Sequence, residues 1–193
     1  MDEAIRDNPI HEKQHGFTVN KCTESAISNT VNYIEKFVFK NQYALGVFLD
    51  ISSAFDTIRP SHIKTSLIKH GGEADLVDWY YGYLMRRDLH FDVHGFKYKK
   101  STSMGFPQGG VCSAKFWLIA FDEAIQIINT LNIEGNGYAD DCSTIAGGPR
   151  LDHLISRQEK MLNKLVRWGA SCGLQFNAEK TVVILFSLSL IHI

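Results

Sequence analysis

Apolar tracts of strand length and of helix length follow one another here in an order that few folds can accept. "YALGVFLD" is a short apolar run closing on one acid, Asp50, and reads as a buried strand. "SAKFWLIAFDEAIQIINTL" is apolar almost all round and predicts a buried helix. "EGNGYADDCSTIAGG" then reads as two short strands around Tyr138–Asp141. The next helix runs from Leu151 to about Trp168. It sets Leu151, Leu154, Ile155, Gln158, Met161, Leu162, Leu165 and Trp168 on one face, and Gly173 ends it. "LQFNAEKTVVILF" closes the series with strands interrupted by a turn.

The segments before and between these tracts are mostly helical. Residues 1–20 are polar and unpatterned, with Pro9 and Gly16 as breakers. A helix follows with Thr23 as N-cap and Ala26, Ile27, Val31, Ile34 and Val38 at helical spacing. Pro60 opens a helix that stops at "KHGG", and "EADLVDWYYGYLMRR" reads as another. "LHFDVHGFKYKKS" alternates about His94-Gly95 as a hairpin. Setting aside the insert at 57–112, the order is strand, helix, strand, strand, helix, strand. That is an α+β, split βαβ or ferredoxin-like arrangement. Its first and third strands are central neighbours, so Asp50 should lie beside Asp140 and Asp141 despite the distance in sequence.

Two adjacent aspartates in a hairpin turn are ordinarily solvated surface, because Asp caps nearby backbone N–H groups. An acid ending a buried strand is costlier unless paired or ligated. If the three converge, their repulsion calls for a hard divalent cation, and Mg²⁺ prefers carboxylate, water and phosphate oxygens. Two such ions, roughly 3.5 to 4 Å apart, serve in-line phosphoryl transfer. "MGFPQGGVCSA" is a glycine-rich loop whose backbone can approach a ligand, but it lacks the phosphate-binding GxxxxGK[ST] pattern. Lys97, Lys99 and Lys100 in one cluster, and Arg157, Lys160, Lys164 and Arg167 in another, are solvated faces or phosphate contacts.

The 193 residues, 45% hydrophobic, suffice for one core or a core plus a small lobe. A net charge of −1 excludes binding nucleic acid by bulk charge alone. Four scattered cysteines without a CxxC pair fit a reducing, intracellular compartment, cytoplasmic or nuclear. The apolar tracts are too short to span a bilayer, and no membrane partner is expected.

Read together, "QHGFTVNKCTESAI", "ALGVFLDISSAFDTI", "GFPQGGVCSAKFW", "GYADD" and "WGASCGLQFNAEKT" resemble the ordered motif blocks of a reverse transcriptase, of the non-LTR, LINE-like kind. The resemblance covers about residues 14 to 186. It implies a polymerase palm with partial, mostly helical fingers. Residues 1–42 would be fingers, 43–56 the first palm strand, 57–112 an insertion and 113–186 the rest of the palm, leaving 187–193 unassigned. By the same resemblance Asp50, Asp140 and Asp141 are the catalytic carboxylates, and the Ile51 carbonyl is a further metal ligand. Two Mg²⁺ ions are implied, with Mn²⁺ able to substitute.

The partners implied are an RNA template, a DNA primer and a dNTP. Phe55 matches the aromatic that excludes a ribose 2′-OH, with a core aromatic as the bland alternative. Gln108 matches the glutamine lying along nucleotide and template. Lys180 matches a lysine that protonates the leaving pyrophosphate, against a plain surface lysine. Lys21 is the surviving basic residue of the first block, where Thr18 and Val19 replace the usual charges, and Ala114 replaces a common proline. Asp56 suits a structural hydrogen bond. Alternatives are a retroelement remnant that folds as a palm without turnover, and an unrelated carboxylate-metal phosphohydrolase, which leaves "FPQGG" and "AFD" unexplained.

Overall fold

The structure, a computed structural model, describes residues 8–188; the ends of the expected fingers segment (1–7) and tail (189–193) lie outside them. The chain divides into two compact units. One comprises residues 10–52 with 121 onward, and the other residues 53–120 with Asn8 and Pro9.

In the first unit, α1 (Thr23–Val38) leads into β1 (Tyr43–Leu49), and β2 (Ile51–Ser52) follows after Asp50. The second unit begins with a single helical turn, α2 (Ala54–Thr57), then α3 (Pro60–Lys69) and α4 (Ala74–Met85). A hairpin of β3 (Arg87–Val93) and β4 (Phe96–Thr102) comes next. Helix α5 (Ser113–Ile128) begins among the residues of that unit and ends among those of the first. The chain closes with β5 (Ile133–Tyr138), β6 (Asp141–Gly148), α6 (Leu151–Cys172), β7 (Gln175–Phe176) and β8 (Val182–Phe186).

The main sheet has the order β5-β6-β1-β8, every neighbouring pair antiparallel. Strand β1 is buried along nearly its whole length because it is flanked on both sides. Neighbouring residues of a strand point to opposite faces, and β6 shows which helix covers each. Ser143 meets Thr30 of α1 at 3.3 Å, whereas the Thr144 hydroxyl donates to Gln158 of α6 at 3.0 Å. Gln158 is buried yet satisfied, because its amide also donates to the Leu45 and Thr144 carbonyls at 3.0 and 3.2 Å. Ile125 and Ile128 of α5 pack under Gly137 and Gly135 on the α6 side, where Phe121 meets Trp168 edge-on at 5.8 Å.

The second unit is built round aromatics. Phe106, Phe116 and Trp117 are fully buried with Ile58, Ile63, Leu67 and Leu84. Phe55 stacks on Trp117 with ring centroids 5.3 Å apart and meets Phe106 edge-on at 5.0 Å.

Three expectations need correction. Thr23 is the first helical residue, not the cap: Cys22 caps α1, and its N–H is taken by the Ser25 hydroxyl at 3.0 Å. Helix α6 runs one turn past Trp168, since Gly169 and Cys172 prolong its buried face; Ile155 falls off that face and is exposed. Gly173, at φ 90°, ends the helix as expected. The supposedly unpatterned residues before α1 are tied down. Gln14 bridges Gly137 in parallel, His15 N–H donates to the Gly137 carbonyl at 2.7 Å, and Gly137 N–H donates to the Lys13 carbonyl at 2.9 Å. These bonds occupy the free edge of β5. Buried Asp122 anchors the same strap, accepting from His11 N–H at 2.7 Å and the Gln14 amide at 3.1 Å.

Candidate active site

The antiparallel register settles where the acids meet. Leu49 stands opposite Cys142, so Asp50, the residue just past the end of β1, comes level with Asp141. Tyr138 pairs with Asp141, which leaves Ala139 and Asp140 as a two-residue hairpin loop. The charge effects agree. Burial first, then the charges of Asp140 and Asp50, push the Asp141 carboxyl above the usual aspartate range. Folding therefore brings the expected three acids together. Asp140 and Asp141 are exposed and Asp50 is partly so. The three are near enough to repel, yet among the described residues no three Asp, Glu, His or Cys side chains are gathered into a ready metal-binding set.

Ala139 holds φ 55°, a left-handed conformation that costs a non-glycine residue about 1–2 kcal/mol. Gly16 props the loop from below. A Cβ at Gly16 would stand 2.3 Å from the Ala139 nitrogen, so only glycine admits this approach.

Ile51 is buried, and its pairing with Phe176 is of the open kind. Asn177 N–H donates to the Asp50 carbonyl at 2.8 Å, which makes Ile51 and Phe176 the non-hydrogen-bonded pair of their ladder. The Ile51 carbonyl is thus not consumed by Phe176. The same bond draws the "NAEKT" turn to the acids. Asn177 Oδ1 accepts from Glu179 N–H and Lys180 N–H at 3.1 and 3.3 Å, and Lys180 Nζ comes to 3.9 Å from Asp50 Oδ2. Both side chains are solvated, so this contact is worth little as a stabilising ion pair.

Lys21 is occupied differently. Its ammonium donates to the backbone carbonyls of Glu12 and of Gln14, the latter at 3.1 Å, and burial lowers its pKa. It fastens the strap that carries Gly16.

Phe55 and Gln108 belong to the second unit. Phe55 is half-buried in the aromatic stack described above. Gln108 is exposed and lines a cleft of about 730 Å³ with Asp56, Tyr83, Arg87, Met104 and Phe106. Arg87 was not singled out from sequence, although "MRRD" at a helix end marks a cation beside backbone carbonyls. Its guanidinium donates to the Leu84 carbonyl at 3.1 Å and the Gly105 carbonyl at 2.8 Å, anchoring the hairpin base.

Cys142 sits directly after Asp141 but faces inward. Burial, and secondarily the Asp141 charge, push its thiol up to about 12. Iodoacetamide at neutral pH should therefore label exposed Cys22 and spare Cys142 in the folded chain; mass spectrometry of the adducts decides it.

A family model described as "Reverse transcriptase (RNA-dependent DNA polymerase)" matches residues 1–189. Among curated proteins, the RNA-directed DNA polymerase from mobile element jockey of Drosophila melanogaster is 24% identical over 185 residues, covering 92% of this chain and 20% of that protein. The putative 115 kDa protein of type-1 retrotransposable element R1DM, also of Drosophila melanogaster, is 26% identical over 190 residues, covering 95% of this chain and 18% of that protein. The chain spans about a fifth of the length of these relatives. Among solved structures, truncated apo telomerase from Candida tropicalis superposes with a TM-score of 0.69 at 14% identity, over 95% of this chain and 38% of that one. Candida tropicalis telomerase in complex with a fragment of telomeric RNA gives 0.71 at 13% identity, over 97% of this chain and 32% of that one. At such identities the likeness is one of fold, a mixed α/β reverse-transcriptase palm. With the acids brought together on that fold and the family match running almost end to end, the chain belongs to the reverse transcriptase family, of the kind found in non-LTR retrotransposons.

Proposed function

We propose that this domain carries RNA-directed DNA polymerase chemistry, extending a DNA primer on an RNA template. The observation that carries the reading is the convergence of Asp50 with Asp140 and Asp141 at one end of the sheet. Residues 43–56 and 113–186 form the palm in this reading, with the β5-β6-β1-β8 sheet as its split βαβ core. Residues 1–42 supply part of the fingers, and 57–112 form the insertion.

By its chemistry the donor set suits divalent metal: three hard carboxylates, with the charges of Asp140 and Asp50 adding to burial in raising the Asp141 carboxyl. Asp50, Asp140 and Asp141, with the Ile51 carbonyl, would hold Mg²⁺ or Mn²⁺. When bound, the ions would supply charge neutralisation for phosphoryl transfer. The chain's own groups do the rest. The strap and Gly16 hold the Ala139-Asp140 loop in place, and preorganised groups lower the barrier because they need not move as charge develops. The primer 3′-hydroxyl loses its proton to solvent and its oxygen bonds to the α-phosphorus as the bond to pyrophosphate breaks. In this reading Lys180 gives the departing oxygen a proton, a role supported by the approach of its Nζ to 3.9 Å from Asp50 Oδ2. For Gln108 the role beside template and nucleotide rests on the family resemblance alone.

Phe55 has two duties in this reading, core packing and exclusion of a 2′-hydroxyl. Phe55→Val should raise ribonucleotide incorporation about tenfold or more relative to deoxynucleotide, the scale of relieving one steric clash in a pocket. Single-nucleotide extension with each sugar measures it; an unchanged ratio makes Phe55 a core residue only. The whole reading is tested by primer extension on an RNA template with Mg²⁺ or Mn²⁺. The expected result is template-directed addition of dNTP. One observation favours a silent domain instead: the Lys21 ammonium is already spent on two carbonyls. No extension with either metal would decide for that reading.

A further inference from the structure

The β3–β4 hairpin forms a two-stranded sheet of its own. Its register sorts the side chains onto two unlike faces. On one lie the pairs Arg87–Thr102, Leu89–Lys100, Phe91–Tyr98 and Val93–Phe96. On the other lie Asp88–Ser101, His90–Lys99 and Asp92–Lys97.

The first face is apolar, aromatic and open to solvent. Phe91 and Tyr98 are each 48% exposed and Phe96 is 69% exposed. The Phe91 and Tyr98 rings stack on one another at 5.4 Å and 14°. An uncovered strip of this kind on a marginal two-stranded sheet marks a binding surface.

Charge says what covers it. The strip carries Arg87 and Lys100 and no carboxylate. Both hairpin acids are on the opposite face and are already engaged. Asp88 pairs with Lys99 at 2.9 Å and accepts from the Ser101 hydroxyl at 2.7 Å, while Asp92 accepts from Gly95 N–H at 2.8 Å. Lys97 and Lys100 make no ion pair among the described residues. Flat π-surface beside one uncompensated cation, Lys100, with the hairpin acids on the opposite face, is the pairing that single-stranded nucleic acid needs: bases stack and a phosphate meets lysine.

The strip also has a direction. Arg87, Leu89 and Thr102, at its base, line the same cleft as Gln108. From there successive pairs step outward about 7 Å at a time, close to the reach of one extended nucleotide.

We propose that this face of the hairpin binds single-stranded RNA, the unpaired template strand on its way past Gln108. The template assignment rests on the polymerase reading; the surface itself rests on the hairpin. The test is fluorescence anisotropy with a labelled, unstructured RNA of about 12 nucleotides. Phe91→Ala with Tyr98→Ala should weaken binding by at least about tenfold, since one base–aromatic stack is worth about 1–3 kcal/mol. Lys100→Ala should reduce the salt slope by about one. His90→Ala, on the other face, should change nothing.

Circular dichroism checks that the double variant folds. Should it not, photocrosslinking of the unmutated chain to thiouridine-bearing RNA should put the adduct on the peptide holding Tyr98; an adduct confined elsewhere overturns the proposal. Unaltered affinity in a folded double variant overturns it too and leaves the polymerase reading standing. If that variant instead alters self-association in sedimentation, the face belongs to protein and the proposal fails. If the unmutated chain binds no RNA, both the strip and the RNA-template reading fall, whereas primer extension alone decides the chemistry.

Discussion

Asp140→Asn is expected to cut primer extension by about 10²- to 10³-fold, the scale of removing one preorganised charge from a transition state. Mn²⁺ titration by calorimetry should weaken sharply in the same variant, because a neutral amide is a poorer ligand than a carboxylate. The substitution sits in an exposed loop residue, so loss of folding is not an escape from the result.

A second readout needs no substrate. The Asp141 carboxyl is held above its ordinary value of 3.8 by burial first, then by Asp140 and Asp50. Between that ordinary value and the raised one, the folded chain binds more protons than the unfolded chain. Asp141 therefore makes stability fall as pH rises through that window. Asp140→Asn removes one of the two charges responsible, so the fall should become shallower, though burial keeps part of it. Thermal melts across the acid range, without divalent metal, measure this. An identical pH profile and undiminished Mn²⁺ binding in the variant would show that Asp140 is a bystander.

Gly105→Ala should be the most damaging small substitution in the second unit. Gly105 holds φ 64°, and a Cβ there would come within 2.3 Å of the Phe55 carbonyl oxygen and 2.7 Å of the Asp56 backbone. The left-handed conformation costs alanine about 1–2 kcal/mol, and forced overpacking about 1–3 kcal/mol. The obstacle is backbone on both sides, so no side chain can swing aside. The flanking bonds, Gly105 N–H to the Ile58 carbonyl at 2.8 Å and Phe106 N–H to the Phe55 carbonyl at 2.9 Å, resist any shift. A total near 3 kcal/mol should lower the urea midpoint by about 1.5 M at an ordinary denaturant slope. A midpoint within about 0.3 M of the unmutated chain would show that the loop relaxes freely.

The acidic end of the sheet, the β3–β4 hairpin and the strap before α1 differ in how far the sequence betrayed them. Asp50 was legible because an acid closing a buried run is chemically conspicuous, and the strand order then carried it to Asp141. The β3–β4 hairpin was legible from alternation and from His94-Gly95, which do take positive φ. The strap at residues 11–16 was not. Its residues are polar, and what orders them is backbone pairing to the free edge of β5, which leaves no periodic trace in side-chain type. Gly16 read as a mere breaker for the same reason: its purpose is fixed by Ala139, over a hundred residues on. Lys21 shows a different limit. A basic residue in a motif block announces charge, but only coordinates tell that its ammonium serves two carbonyls. Ile155 strayed from its helix face because the eight positions, seven apolar with Gln158, span a wider arc than α6 buries.

One backbone bond has a mechanical consequence. The amide of Asn177 grips the carbonyl of Asp50 and also belongs to the residue whose side chain ties down the amides of Glu179 and Lys180. The backbones of Asp50 and Lys180 are thus moored to one residue, so a displacement of the turn at Asn177 would carry both.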